Sequence, residues 1–233
     1  FEKLAGDISA QFYLTNNLSS QNIKQLIIDE NIDLAISANW KYIFDSSFLG
    51  LFKNGILNLH LGNLPDYKGN ATANWAIING ETCIYANIHK MTIDLDAGDI
   101  ISKAKIEIKG NTYIGDILDE VQKLAPILFE DSVKKIKNDS NYYLEKGEKK
   151  GLRCFPRLPE YSQINWNENG ENIYRLIRAS SRPYSGAFTF LDNKKVIIWR
   201  ANIFTPDNLF LAVPGHIVEI NKDSGSVFVA CKD

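Results

Sequence analysis

Cysteine is scarce in this chain: Cys83, Cys154 and Cys231 are three in 233 residues, odd in number and without a CxxC pair. That excludes a disulfide framework and a zinc ribbon, and leaves reduced thiols packed as small core residues, as in a cytoplasmic protein. Histidine is almost as rare, with His60, His89 and His216, and Met91 is the single methionine. No apolar run approaches the roughly 18 residues of a membrane span, and no segment reads as a signal peptide, so no membrane partner is expected. Neither sign of charge prevails: 26 Lys and Arg stand against 28 Asp and Glu, a net −2. Nothing overall calls for nucleic acid, although a local basic patch remains open. No GxGxxG follows a strand-like run and no GxxxxGK[ST] occurs, which argues against a nicotinamide dinucleotide and against ATP hydrolysis on a P-loop. Repeats and low-complexity tracts are absent too.

What is present is an ordinary globular composition, 45% hydrophobic and 23% charged, in a chain long enough to bury a substantial core. Its organising stretch is Gly55 to Ile101, GILNLHLGNLPDYKGNATANWAIINGETCIYANIHKMTIDLDAGDII. Ile56, Leu57, Leu59 and Leu61 predict a buried strand, on which Asn58 and His60 share a face because successive side chains alternate. The strand ends in a glycine loop, at the carboxyl end where open α/β sheets bind ligands. A helix around Ala71 to Ile78 and a strand around Ile84 to Met91 follow, then the turn DLDAGD with Asp94, Asp96 and Asp99. His60, His89 and these aspartates are metal-ligand types, which opens a metal reading. The lack of any HxH or HxxxH pair and the wide spacing of the histidines count against it. His89 is expected to line the site or pack beneath it, and His216 to be structural or solvent-facing.

NLHLGNLPDYKG followed by LDAGD resembles the active-site region of the folate-dependent formyltransferases, which include methionyl-tRNA formyltransferase and the sugar-nucleotide N-formyltransferases. The resemblance maps the family's catalytic set onto Asn58, His60 and Asp96, with the 38 positions from Asn58 to Asp96 matching the family's separation. It implies 10-formyltetrahydrofolate as co-substrate, with no metal. The chemistry asks for these residue types. Formyl transfer to an amine develops an oxyanion, which an Asn58 amide N–H can meet. The amine must also lose a proton, which His60 can take near neutral pH. Asp96 would hold the imidazole in one tautomer and stabilise its charged form. The loop after the strand Asp33 to Ser37 approaches the folate in this family, making Asn39, Trp40, Lys41 and Tyr42 candidate cofactor contacts, with Asp94. Trp40 and Tyr42 have the alternative of simply closing a core. Tyr67, Lys68 and Asn74 are candidate substrate contacts, and Lys68 would meet a phosphate as a point charge.

The fold expected is α/β: a Rossmann-like formyltransferase core with a mostly parallel sheet over residues 1–138. A linker at 139–163 and a small β-rich, OB-like subdomain at 164–233 follow. Because family members carry a first βαβ segment ahead of the part seen here, the core is expected to be N-terminally incomplete. Phe12 to Asn17 reads as a strand end, Ser19 or Ser20 as the cap of a helix carrying Ile23, Leu26 and Ile27, and Lys103 to Lys109 as a strand. Thr112 opens a long helical pattern that Pro126 must kink or divide. Ile164 to Leu191 resembles the opening of the family's C-terminal part, with Asn165 and Ser185 replacing its usual Asp and Pro. The reading that follows is an N-formyltransferase acting on a nucleotide-linked amino sugar, with a homodimer plausible. A methionyl-tRNA formyltransferase is the second reading, its basic residues in the linker interrupted by Glu145 and Glu148. The third is an idle partner that binds folate without turnover.

Overall fold

The apolar runs read above become the strands of one sheet. The computed structural model describes every residue except 19, 39, 41, 140, 141, 207–210 and 233. In chain order, α1 (Glu2–Asp7), α2 (Gln21–Asp29), β1 (Leu34–Ser37), α3 (Ser46–Leu49) and β2 (Gly55–Leu61) lead to β3 (Lys68–Gly69) and α4 (Thr72–Asn79). Strands β4 (Cys83–Lys90) and β5 (Ile100–Glu107) precede the longest helix, α5 (Ile114–Asn138). Then come β6 (Arg153–Cys154), α6 (Gly170–Ser180), and the strands β7 (Ala187–Leu191), β8 (Lys194–Ile198), β9 (Ile217–Asn221) and β10 (Ser226–Val229).

The central sheet has the order β1-β2-β4-β5. The expected mostly parallel sheet is realised among the described residues as a mixed one: β1 runs parallel to β2, while β2–β4 and β4–β5 are antiparallel. Alternation then sorts the side chains. Leu57, Ile84, Ala86 and Ile88 are fully buried on the face covered by α4 and α5, with Ala76, Ile77, Ile114 and Ile117. Ile56 on the opposite face packs with Phe44, Phe48, Phe52 and Ile27. Asn58 and His60 share that second face with Ile56, which is what directs them away from the main core.

α5 runs as one helix through Pro126, so the alternative of a second helix beginning there is not realised. Its start is secured by the Tyr113 N–H donating to Asp116 Oδ2 at 2.8 Å. Phe12 to Asn17 forms no strand: Phe12, Tyr13 and Leu14 are exposed, and without an apolar surface or a ladder partner an apolar run has nothing to pair with. Ser20 precedes α2 but makes no capping bond with its side chain, and Ser19 lies outside the described residues. In the C-terminal part Ile164, Ile173, Ile177 and Ala187 form a small core of their own. Two antiparallel pairs, β7–β8 and β9–β10, stand where an OB-like subdomain is expected, and no ladder joins them among the described residues. This part is tied to the sheet domain by Asn74 Nδ2 donating to the Ala179 carbonyl at 2.8 Å and by Arg178 donating to the Thr112 carbonyl at 2.9 Å. No helix among the described residues is long and apolar enough to cross a membrane.

Candidate active site

Cross-strand pairing assembles a polar patch on the second face of the sheet. Asn58 lies opposite His89, and His60 opposite Asn87, so two amides and two imidazoles occupy one face of β2 and β4. Asn87 is almost wholly buried and donates to the His60, Gly62 and Tyr85 carbonyls, at 3.2, 2.8 and 3.1 Å. It thereby fixes the backbone where β2 opens into its loop. Nothing in the sequence reading singled it out; its position two residues before His89 on an alternating strand was the available signal.

The loop and the acidic turn close over this patch. His60 Nε2 is 2.7 Å from the Tyr67 carbonyl, which can only accept, so Nε2 carries the proton. The other ring nitrogen, Nδ1, is left with its lone pair and lies 3.4 Å from Asp96 Oδ2. The tautomer is therefore set by a main-chain carbonyl, whereas the sequence reading assigned that task to Asp96. Asp96 instead sits beside the nitrogen that would receive a proton. Its Oδ2 accepts from the Gly69 N–H at 2.7 Å, and its Oδ1 lies 3.6 Å from His89 Nε2. His89 is buried, as anticipated, and its Nδ1 faces the Lys90 carbonyl at 3.0 Å, so Nε2 accepts from the Asn58 amide at 3.2 Å. That bond engages one Asn58 N–H and leaves the second without a protein partner among the described residues.

Electrostatics favour a resting state of neutral His60 and ionised Asp96. Burial pushes His60 below the ordinary imidazole value; Asp96 and the Tyr67 carbonyl raise it in part, and His89 and Lys68 lower it further. For Asp96, burial works upward, but His89 and His60 in their charged forms, together with the Gly69 N–H, outweigh it and leave the carboxyl below its usual range.

Several expected contacts are engaged elsewhere. Tyr67 is buried, and its phenol donates to Glu81 at 2.6 Å and accepts from Asn79 at 3.1 Å. Lys68 is buried with its ammonium on the Glu148 carbonyl, and Asn74 is spent on Ala179. All three are engaged in the interior by different neighbours: Tyr67 by the end of α4 and Glu81 beyond it, Lys68 by the segment after α5, and Asn74 by α6. Asp94 pairs with Lys149 at 2.8 Å. Trp40 stacks on Phe44 at 5.5 Å and meets the exposed Tyr42 edge-on, while Asn39 and Lys41 lie outside the described residues. At the carboxyl end of β1, Ser37 Oγ and Trp40 Nε1 are buried with no partner among the described residues. Such orphaned groups suit a polar heterocycle next to Asn58, which Ser37 faces across the parallel ladder. His216 is exposed and remote from the patch in the chain's C-terminal part. No cluster of three or more His, Cys, Asp or Glu arranged to hold a metal ion occurs among the described residues.

Comparison with known proteins gives a consistent neighbourhood. The family model described as formyl transferase matches residues 4–133, and that described as formyl transferase, C-terminal domain, matches residues 158–233. The bifunctional polymyxin resistance protein ArnA of Wigglesworthia glossinidia brevipalpis is 30% identical over 86% of this chain, which spans 30% of that relative's length. A methionyl-tRNA formyltransferase of Staphylococcus aureus is 28% identical over 100% of this chain and 73% of its own. In fold, HypX from Aquifex aeolicus in complex with tetrahydrofolic acid superposes with a TM-score of 0.64 at 18% identity, over 90% of this chain and 36% of that one. A sugar N-formyltransferase from a Shewanella species gives 0.64 at 23% identity, over 82% and 77%.

Proposed function

Because this chain belongs to the formyl transferase family, we propose that it transfers the formyl group of 10-formyltetrahydrofolate to the amine of a nucleotide-linked amino sugar. The observation that carries the reading is the grouping of the buried His60 with the half-buried Asn58 and Asp96, with His60 protonated at Nε2 and its Nδ1 lone pair beside a carboxylate. In the reaction the amine nitrogen bonds to the formyl carbon, the bond from that carbon to the folate nitrogen breaks, and one proton leaves the amine. His60 takes that proton at Nδ1, where Asp96 stabilises the imidazolium. A proton passes to the folate nitrogen as its bond to the formyl carbon breaks, so the folate leaves as the neutral amine and His60 returns to neutral. Asn58 directs its free N–H at the oxyanion, held in aim by its bond to His89. Tyr67 contributes its carbonyl, which keeps His60 in the tautomer that exposes Nδ1. Ser37 and Trp40 offer buried donors to the folate ring system, beside the loop that carries Asn39, Lys41 and Tyr42.

The sugar acceptor is favoured by the near-neutral charge of these residues, together with the likeness in fold to a sugar N-formyltransferase. A sequence with only three cysteines and no CxxC pair suits work in the reducing cytoplasm. The test is a formyl-transfer assay with 10-formyltetrahydrofolate against a panel of nucleotide-linked amino sugars, with initiator methionyl-tRNA in parallel. Turnover on a sugar supports the reading. Turnover on tRNA alone replaces the acceptor, in line with the methionyl-tRNA formyltransferase match, and predicts steep salt dependence. Folate binding without turnover on any acceptor overturns the enzyme in favour of an idle binding protein.

A further inference from the structure

The segment between α5 and α6 does more than connect two parts. Residues Glu145 to Cys154 lie across both loops that grip the His60–Asp96 pair, and they bond to each. On the side of the acidic turn, the Gly147 N–H donates to Asp99 Oδ1 at 2.8 Å and Lys149 pairs with Asp94 at 2.8 Å. The Ile100 N–H also donates to the Glu145 carbonyl at 2.9 Å. On the side of the glycine loop, Leu152 N–H donates to Asp66 at 2.7 Å, Lys68 N–H donates to the Leu152 carbonyl at 2.9 Å, and β3 pairs with β6. The buried Lys68 ammonium adds its bond to the Glu148 carbonyl.

The tripeptide Tyr67–Lys68–Gly69 is where this matters. Its first carbonyl holds His60 Nε2, its last N–H holds Asp96 Oδ2, and its middle residue is bound to the strap by both main chain and side chain. The strap also approaches both loops more closely than a side chain would permit. A Cβ on Gly151 would lie 1.8 Å from the Pro65 carbonyl oxygen, and one on Gly147 would lie 2.2 Å from that of Ala97.

We propose that residues 145–154 are a positioning strap that sets the separation of His60 and Asp96, seated by the Asp99–Gly147 bond and by the close approach at Gly151. This rests on the formyl-transfer reading of the site. Asp99 and Gly151 are positioning residues: neither is among the groups that act on the His60 ring, which are Asp96, the Tyr67 carbonyl, His89 and Lys68.

The test compares Asp99→Ala, Asp99→Asn and Gly151→Ala in the whole chain. The readouts are kcat and KM for formyl transfer, and the imidazole nitrogen resonances of His60 followed through a pH titration. Asp99→Ala and Gly151→Ala are expected to lower kcat by about 10- to 100-fold, as displacements near 1 Å do, with the folate KM nearly unchanged and the His60 resonances moved. Asp99→Asn removes the same charge but keeps an oxygen for the Gly147 N–H, so it should restore most of kcat and the wild-type His60 spectrum. A folded Asp99→Ala protein with wild-type kcat and unmoved resonances overturns the proposal, as does an Asp99→Asn protein no better than Asp99→Ala. The Asp99 pair decides the question even if Gly151→Ala fails to fold. If the unaltered chain transfers no formyl group, the functional reading falls; the His60 spectra of the same variants still decide whether the strap positions the pair.

Discussion

At the scale of single residues, the site's behaviour turns on His60 being neutral at rest. Its value is lowered, chiefly by burial, so the acid limb of kcat/KM should lie below the ordinary imidazole value of about 6.5. The sign of the Asp96 contribution gives a second check. Asp96 raises His60, so Asp96→Asn should shift that limb to still lower pH while also reducing kcat, and a pH–rate profile of the two proteins measures both. His60→Ala should lose about 10²- to 10⁴-fold in kcat with the fold retained by circular dichroism. Asn58→Ala should lose about 10²-fold or more in kcat with little change in KM, the signature of an interaction made only as the oxyanion develops. Near-normal turnover in either variant would remove that residue from the mechanism.

At the scale of elements, what the sequence disclosed and what it withheld have a common cause. β2 and β4 were legible because their alternation is written in adjacent residues: Leu57 and Leu59 against Asn58 and His60, Ile88 against Asn87 and His89. α5 was legible for the same reason, in the run from Ile114 to Val133. The grouping of Asn58, His60 and Asp96 followed from the resemblance of NLHLGNLPDYKG and LDAGD to the family's motifs. The internal partners of Tyr67, Lys68 and Asn74 were not legible because Glu81, Glu148 and Ala179 come from segments that local pattern does not link to them. The long-range bond from Tyr67 to His60 was invisible for another reason, since a main-chain carbonyl leaves no residue type to read. Tyr67 yields a direct check. Burial and its bond to Glu81 push the phenol up to about 12, so it acts as an uncharged structural donor. Tyr67→Phe should cost about 1 kcal/mol in urea unfolding and leave the acceptor KM unchanged; a raised KM would return the residue to the substrate surface.

At the scale of the whole molecule, three apolar clusters are stitched together by polar bonds. The C-terminal cluster around Ile173 and Ile177 is joined to the sheet domain through Asn74, which is buried at the α4–α6 contact. Asn74→Ala leaves the Ala179 carbonyl buried and unpaired, and should cost about 1–3 kcal/mol in urea unfolding with kcat unaltered. The strap crosses the same molecule on its outside. Lys149 is exposed along most of its side chain even while paired with Asp94, and Lys150 beside it is exposed as well. Trypsin therefore has a target on a segment whose two ends are anchored in different loops. A single cut there would leave two fragments that stay associated through α4, α5 and α6 and run together in gel filtration. The nicked protein would keep its mass and its helix content and lose its chemistry, so brief digestion could silence the enzyme without unfolding it.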